Sequence, residues 1–304
     1  MSLTITEWFV QQYGGAVHTL AQQKGSRLRR SVRLDSNIVG KSAFVDRIGK
    51  TTAQKRLSRH GDSPLVNTPH SRRRLDLADY EWGDLIDAQD KIRTLNDPTN
   101  PYTQAGGFAM GRAMDTEIIA AFDGSAFEGA GGAGDTVSTI AFPAAQGIAV
   151  DFVESGAAAD SNLTVGKLRR AKEILDAADV PDEDPRFIAV TASQIHSLLN
   201  STAVTSSDFN TVKALVAGQI NTFLGFEFLR TQLLPFSSAT VRKCFAYAQS
   251  GVSLGVGMDI VARLAERSDK SFAMYAYYMM SIGATRLEEE RIVRILCDED
   301  FFVG

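Results

Sequence analysis

Between residues 102 and 122 the chain places Met110, Met114, Ile118 and Phe122 four apart, the spacing that stacks side chains along one face of an α-helix. A helix is predicted there, closed by Asp123-Gly124, with Ala and Gly at its other positions allowing close packing. A shorter helix is predicted over 79–95, stopped by Asn96-Asp97-Pro98 and Asn100-Pro101. A second apolar stripe, Leu168, Ala171, Leu175 and Ala178, follows Thr164 as N-cap, with Leu163 and Leu168 placed as a hydrophobic staple. This helix ends before Val180-Pro181. Phe187-Ile188-Ala189-Val190 is a continuous apolar run short enough for a buried strand. Thr191-Ala192-Ser193-Gln194 has the capping-box pattern and opens a helix to residue 199. One more helix is predicted over 209–221.

Strand patterning occupies 136–142, 147–153, 226–231 and 243–248. The tail reads as a hairpin in which 272–285 pairs with 291–297, turning through Arg286-Leu287-Glu288-Glu289-Glu290. The first quarter of the chain is different. Residues 1–36 have weak periodicity, interrupted at Gly14-Gly15 and Gly25, and read as an arm with one short helix. Residues 38–77 are polar, basic and poor in large apolar side chains, with a turn-like Arg59-His60-Gly61-Asp62-Ser63-Pro64 near the middle. Two extended limbs around a tip fit this stretch, and such a hairpin buries too little apolar surface to be stable alone.

With 304 residues, 44% hydrophobic and 22% charged, the chain is long enough for two cores. Cys244 and Cys297 both lie in apolar stretches, so neither a disulfide framework nor a C-x-x-C motif is available, and both are expected as buried small hydrophobes. The opening residues lack a signal peptide's basic and apolar regions, and no run approaches the roughly 18 apolar residues of a membrane span, which points to a cytosol-like compartment. Charge is unevenly spread. Residues 24–74 hold fourteen basic side chains against three acids, about +11 within a chain of net −4, leaving about −15 on the rest. That asymmetry suits a molecule that packs against copies of itself, basic part to acidic surface. It fits nucleic-acid recognition less well, because Phe44 is the sole interleaved aromatic.

Candidate chemistry is sparse. Gly129-Ala130-Gly131-Gly132-Ala133-Gly134 satisfies G-x-G-x-x-G literally, but follows a predicted helix end where a dinucleotide fold needs a strand, and reads as a linker. Gly251-Val252-Ser253-Leu254-Gly255 matches the G-x-S-x-G nucleophile elbow, with helix expected beyond it. A serine hydrolase using Ser253 is therefore the alternative function. Its base is missing, since His18, His60, His70 and His196 all precede the serine, whereas the α/β-hydrolase histidine follows it. The histidines form no metal-binding pair, and no cofactor is implied. Asp182-Glu183-Asp184, Glu288-Glu289-Glu290 and Asp298-Glu299-Asp300 lack calcium-loop spacing and are expected on solvated or subunit-facing surface.

The closest local wording runs from Leu163-Thr164-Val165-Gly166-Lys167-Leu168 through Val180-Pro181, Pro185-Arg186-Phe187-Ile188-Ala189-Val190 and Gln194-Ile195-His196-Ser197-Leu198-Leu199. It continues with Gly218-Gln219-Ile220 and Gly225-Phe226-Glu227-Phe228 to Leu233-Leu234-Pro235. This stretch resembles the axial domain of Hong Kong 97-like major capsid proteins of tailed bacteriophages, and the order of elements resembles their fold along nearly the whole chain. The resemblance implies an α+β capsid fold: N-terminal arm 1–36, extended hairpin loop 37–80, peripheral domain with spine helix 81–135, axial domain 136–270, and peripheral-domain strands with the C-terminus 271–304. It also implies a non-enzymatic subunit of hexamers and pentamers in an icosahedral head around double-stranded DNA, assembled in the host cytoplasm. Implied partners are further copies, a separate scaffolding protein, a portal, a decoration protein and non-specifically held DNA, with no membrane. No lysine–asparagine–glutamate crosslinking trio aligns. Subunit-interface candidates are Lys50, Lys55, Arg56, Arg59, Arg72, Arg73, Arg74, Glu288, Glu289 and Glu290.

Overall fold

The structure, a computed structural model, describes residues 22–56, 63, 65–86, 99–129, 137–154, 156–200 and 222–300. Its first strands are β1 (Arg33–Ser36), β2 (Ser42–Ile48), β3 (His70–Asp76) and β4 (Ala78–Ile86), followed by helix α1 (Thr99–Asp123). Next come β5 (Ala126–Glu128), β6 (Ser138–Ile140), β7 (Gly147–Ile148), α2 (Val165–Ala177), β8 (Arg186–Val190) and α3 (Ala192–Asn200). The last strands are β9 (Thr222–Phe223), β10 (Phe226–Arg230), β11 (Val241–Ala248), β12 (Val252–Arg267), β13 (Ala273–Arg286) and β14 (Ile292–Asp298). Three sheets result, in the orders β1-β12-β13-β4, β7-β14-β11-β8-β10-β9 and β2-β3-β5-β6. The class is mixed α+β. No described helix is long and apolar enough to cross a membrane.

The chain divides into two compact units, one of Met1–Ser26, Asp79–Ala113 and Asp259–Met280, the other of Arg27–Ala78, Met114–Met258 and Ser281–Gly304. In the first unit, Gly106 of α1 lies so close to Trp82 that a Cβ there would sit 2.6 Å from the ring. Trp82 meets Tyr278 edge-on, with centroids 5.8 Å apart, and the Tyr278 hydroxyl donates to the Thr103 carbonyl at 2.8 Å. These contacts explain why 79–86 is a strand and not the start of the helix predicted over 79–95. Exposure alternates along β4, and large aromatics at every second position pack best on a pleated surface. Residues 87–95 of that prediction lie outside the described residues, as do 209–221.

In the second unit the six-stranded sheet holds the core. All five residues of β8 are buried, as the apolar run predicted, between parallel β10 and antiparallel β11. Phe122 at the end of α1 lies 4.9 Å from Phe245 and 4.5 Å from Tyr247, which also packs against Phe187. Met114, Ile118 and Phe122 of the predicted stripe are buried here, and Met110, in the first unit, is buried as well. Pro101 does not stop a helix but lies in the first turn of α1, where its missing N–H forfeits no intrahelical bond.

Both local caps form. Thr164 accepts from the Lys167 backbone N–H at 3.2 Å, Leu163 and Leu168 are buried beside it, and the Gln194 side chain accepts from the Thr191 N–H at 3.0 Å. Thr164→Ala is expected to lower subunit stability by about 1 kcal/mol, read as a reduced urea midpoint with an unchanged slope.

Two further expectations are corrected. The tail is no hairpin: β13 pairs within the four-stranded sheet of β1, β12 and β4, whereas β14 lies between β7 and β11 in the six-stranded sheet. The turn between them carries the chain from one sheet to another. Beyond Gly251 the chain forms the sixteen-residue strand β12 instead of a helix, as its alternating Val252, Leu254 and Val256 favour.

Candidate assembly interface

Strands β2 and β3 form an antiparallel pair from Ser42↔Asp76 to Ile48↔His70, the two limbs expected of the basic stretch. The pairing puts Phe44, Asp46, Ile48, His70, Arg72 and Arg74 on one face and Val45, Arg47, Ser71, Arg73 and Leu75 on the other. On the first face Arg72 lies over the Phe44 ring at 5.8 Å and hydrogen-bonds Asp46, which holds the Asp46 carboxyl below its ordinary range. Arg74 Nε donates to Asp76 Oδ1 at 2.7 Å. Lys50, Lys55 and Arg56 continue the exposed cationic surface, and Lys50 Nζ stands 3.8 Å from Asp179, itself exposed. Arg59 lies outside the described residues. Ile48 is 72% exposed and Leu65 is 98% exposed, so apolar side chains are interspersed among the charges.

The second face turns inward. Arg73 is 1% exposed and pairs with Glu289, and its Nε donates to the Leu287 carbonyl at 3.2 Å. Arg73 and Glu289 are therefore partners of each other inside one chain. Glu288 pairs with Arg291 at 2.6 Å, and Glu290 is exposed. The acid runs expected at the surface are correspondingly split. Asp184 bonds Arg291 at 3.2 Å, Asp298 is buried, and Glu299 accepts from Arg242 Nε at 2.6 Å. Burial alone would raise the Glu299 carboxyl, but hydrogen bonds from Arg242, Gln194 and Thr191 together hold it below the ordinary range.

The base of the hairpin rests on a glycine surface that pattern analysis missed. A Cβ on Gly283 would lie 1.9 Å from the Asp76 carbonyl oxygen, one on Gly257 2.7 Å from Leu77, and one on Gly255 2.5 Å from Leu75. At Gly283 the neighbour is backbone, so only hydrogen there lets the two chain segments approach so closely, whereas at Gly255 and Gly257 the neighbours are leucine methyls packed onto the strand.

Gly255 also belongs to the G-x-S-x-G match, which is thereby explained as packing. Ser253 is fully buried within β12, its Oγ donating to Asp35 Oδ2 at 2.6 Å, and the strand–turn–helix elbow is absent. The hydrolase alternative is unsupported. Gly129 follows strand β5, and its N–H donates to the Arg72 carbonyl at 3.0 Å, while 130–134 of the G-x-G-x-x-G match lie outside the described residues. Among the described residues no three His, Cys, Asp or Glu side chains group to hold a metal ion.

A long helix, a paired basic hairpin, a six-stranded mixed sheet and two long strands are the elements of a phage capsid subunit of the Hong Kong 97-like fold, which the comparisons with known proteins show. A family model of phage capsid proteins matches residues 5–299, and the chain belongs to that family. The capsid of cyanophage P-SCSP1u is similar at TM-score 0.71 and 14% identity, over 97% of this chain and 94% of that one. The capsid of Ralstonia phage GP4 gives TM-score 0.70 at 11% identity over 95% of each chain. The acid-stable capsid of Helicobacter pylori bacteriophage KHP30 gives 0.70 at 10% identity over 98% of each. No curated protein sequence matches the chain. The protein is thus a major capsid protein with a structural role, many copies of which form the shell of the virion.

Proposed function

We propose that the chain assembles as hexamers and pentamers of an icosahedral head around double-stranded DNA, with the hairpin of each copy lying across its neighbour. In this reading 1–36 is the arm, 37–80 the extended loop, 81–135 the spine helix with part of the peripheral domain, 136–270 the axial domain, and 271–304 the remaining peripheral strands. The subunit has no catalytic activity. It assembles in the host cytoplasm with a separate scaffolding protein and a portal, takes a decoration protein on its outer surface, and holds DNA without sequence preference.

The observation that carries the reading is the outward face of the hairpin, where exposed Ile48 shares a face with Arg72 and half-buried Arg74, and the segment joining the two strands exposes Lys50, Lys55, Arg56 and Leu65. Apolar side chains ringed by charge mark a surface that a partner covers, and acidic surface on the next copy complements it. Of the interface candidates, Arg73 and Glu289 act within the subunit instead, Glu290 joins the exposed set, and Arg59 is retained as a candidate for the same contact.

Limited proteolysis tests this. Trypsin is expected to cut free subunits after Lys50, Lys55 or Arg59 and to cut assembled particles there about a hundredfold more slowly, because the assembled segment must open before it can be cleaved. Residues 163–200 should resist in both states. Equal cleavage rates in particles and free subunits would remove the hairpin from the intersubunit contact.

A further inference from the structure

The inner face of the hairpin meets the rest of the second unit through a cluster of five charges drawn from five segments. Arg47 comes from β2, Arg73 from β3, Glu128 from β5, Arg286 from the end of β13 and Glu289 from the turn before β14. Arg47 Nη1 donates to the Leu287 carbonyl at 2.6 Å and Nη2 to Glu128 Oε1 at 2.7 Å. Arg73 donates to the same carbonyl and to Glu289, whose Oε1 also lies 3.5 Å from Arg286 Nε and whose Oε2 lies 4.0 Å from Arg47.

Three arginines thus share two carboxylates. The shortage is visible in two buried nitrogens, Arg47 Nε and Arg73 Nη1, that have no hydrogen-bond partner. Backbone contact between the hairpin and the β5 segment is short: the pairs Arg73↔Glu128 and Arg74↔Phe127 and the bond from the Gly129 N–H to the Arg72 carbonyl at 3.0 Å. A further contact is the glycine surface beneath Leu75, Asp76 and Leu77, which supplies no side chain to direct the strands.

We infer that Glu289 is the latch of the hairpin: its carboxylate, shared by Arg73, Arg47 and Arg286, fixes the direction in which β2 and β3 leave the subunit, and its loss frees them to pivot on the glycine surface. The latch lies wholly within one chain, so it stands or falls independently of whether the hairpin reaches a neighbour. Removing one partner of a buried ion pair leaves the other uncompensated. Asp123, whose charge also reaches Arg286, is already paired with Lys243 and Arg294, and Glu288 is paired with Arg291.

The test is hydrogen exchange on the unassembled full-length subunit. Glu289→Gln is expected to speed exchange about a hundredfold across Ser42–Ile48 and His70–Asp76 while β8, β11 and β14 keep their wild-type rates. Glu289→Asp, which keeps the charge, is expected to restore most of the protection. Unchanged hairpin rates in Glu289→Gln would overturn the latch, and so would equal acceleration in the six-stranded sheet, since Glu289 would then serve folding in general.

Discussion

Replacing Gly283 by alanine is expected to dislodge the hairpin and abolish particle formation. The new methyl would occupy a point 1.9 Å from the Asp76 carbonyl oxygen and 2.9 Å from its carbon, both backbone atoms. A flexible side chain could rotate away; a strand cannot, so either β13 or β3 must move along its length. Overpacking of this kind costs about 1–3 kcal/mol where side chains absorb it, and the upper end or beyond is expected where backbone must. The measurements are the urea midpoint of the subunit and the yield of particles. Gly107→Ala provides the contrast, because a Cβ there meets nothing within 4 Å and the helix interior gains about 1 kcal/mol from losing a glycine. If Gly283→Ala assembles normally, the close approach of Asp76 to β13 is not a feature of the working subunit.

The difference between these two glycines marks what could be read from sequence. Thr164 and Gln194 were legible because a cap is built within four residues, so spacing alone specifies it. The stripe from Met110 to Phe122 was legible for the same reason, as was the buried run of β8. Gly283, by contrast, owes its role to Asp76, more than two hundred residues earlier, and nothing near it announces the contact. The same limit misled the reading of the tail. Two strand-like runs separated by a short polar turn look like a hairpin whenever the turn is long enough to close one, and only the partners β11 and β12 decide that β13 and β14 separate.

Residues 79–86 show a competition of a different sort. Asp79, Glu81 and Asp84 suit the first turns of a helix, but Tyr80 and Trp82 alternate with them, and packing of Trp82 on Tyr278 and Gly106 decides for a strand. Among the interface candidates, charge could be counted but not placed. Arg72, Arg73 and Arg74 are consecutive and chemically alike, yet the pleat sends Arg73 to the opposite face from its neighbours. One residue of the three is structural for that reason alone. Sequence could assign it only once the register of β2 against β3 was known.

Arg286→Met is expected to be strongly destabilising, because this buried guanidinium ends a helix and joins it to another segment. Nη1 donates to the carbonyls of Phe122 at 3.1 Å and Gly124 at 2.7 Å, and Nη2 to that of Ile140 at 3.1 Å. The first two lie at the C-terminus of α1, where the last carbonyls have no intrahelical donor and the helix dipole favours a cation. Burial lowers the Arg286 pKa while Glu289 opposes the fall, but the group stays charged. Hydrogen bonds from a charged donor contribute roughly 1.5–3 kcal/mol each, so losing three should cost about 4 kcal/mol even after partial repair by water. Methionine keeps much of the aliphatic stem and so isolates the polar loss from a cavity. Arg286→Lys should recover little, since one ammonium cannot reproduce a planar fork aimed at three carbonyls. Arg294 shares the Phe142 ring with Arg286, at 5.1 Å against 5.4 Å, and is the natural control. It is partly exposed and bonds Asp123 at 3.5 Å, so Arg294→Met should cost about 1 kcal/mol or less. Urea unfolding of the three variants would order them, and equal midpoints for Arg286→Met and Arg294→Met would show that the end of α1 is held by something other than this guanidinium.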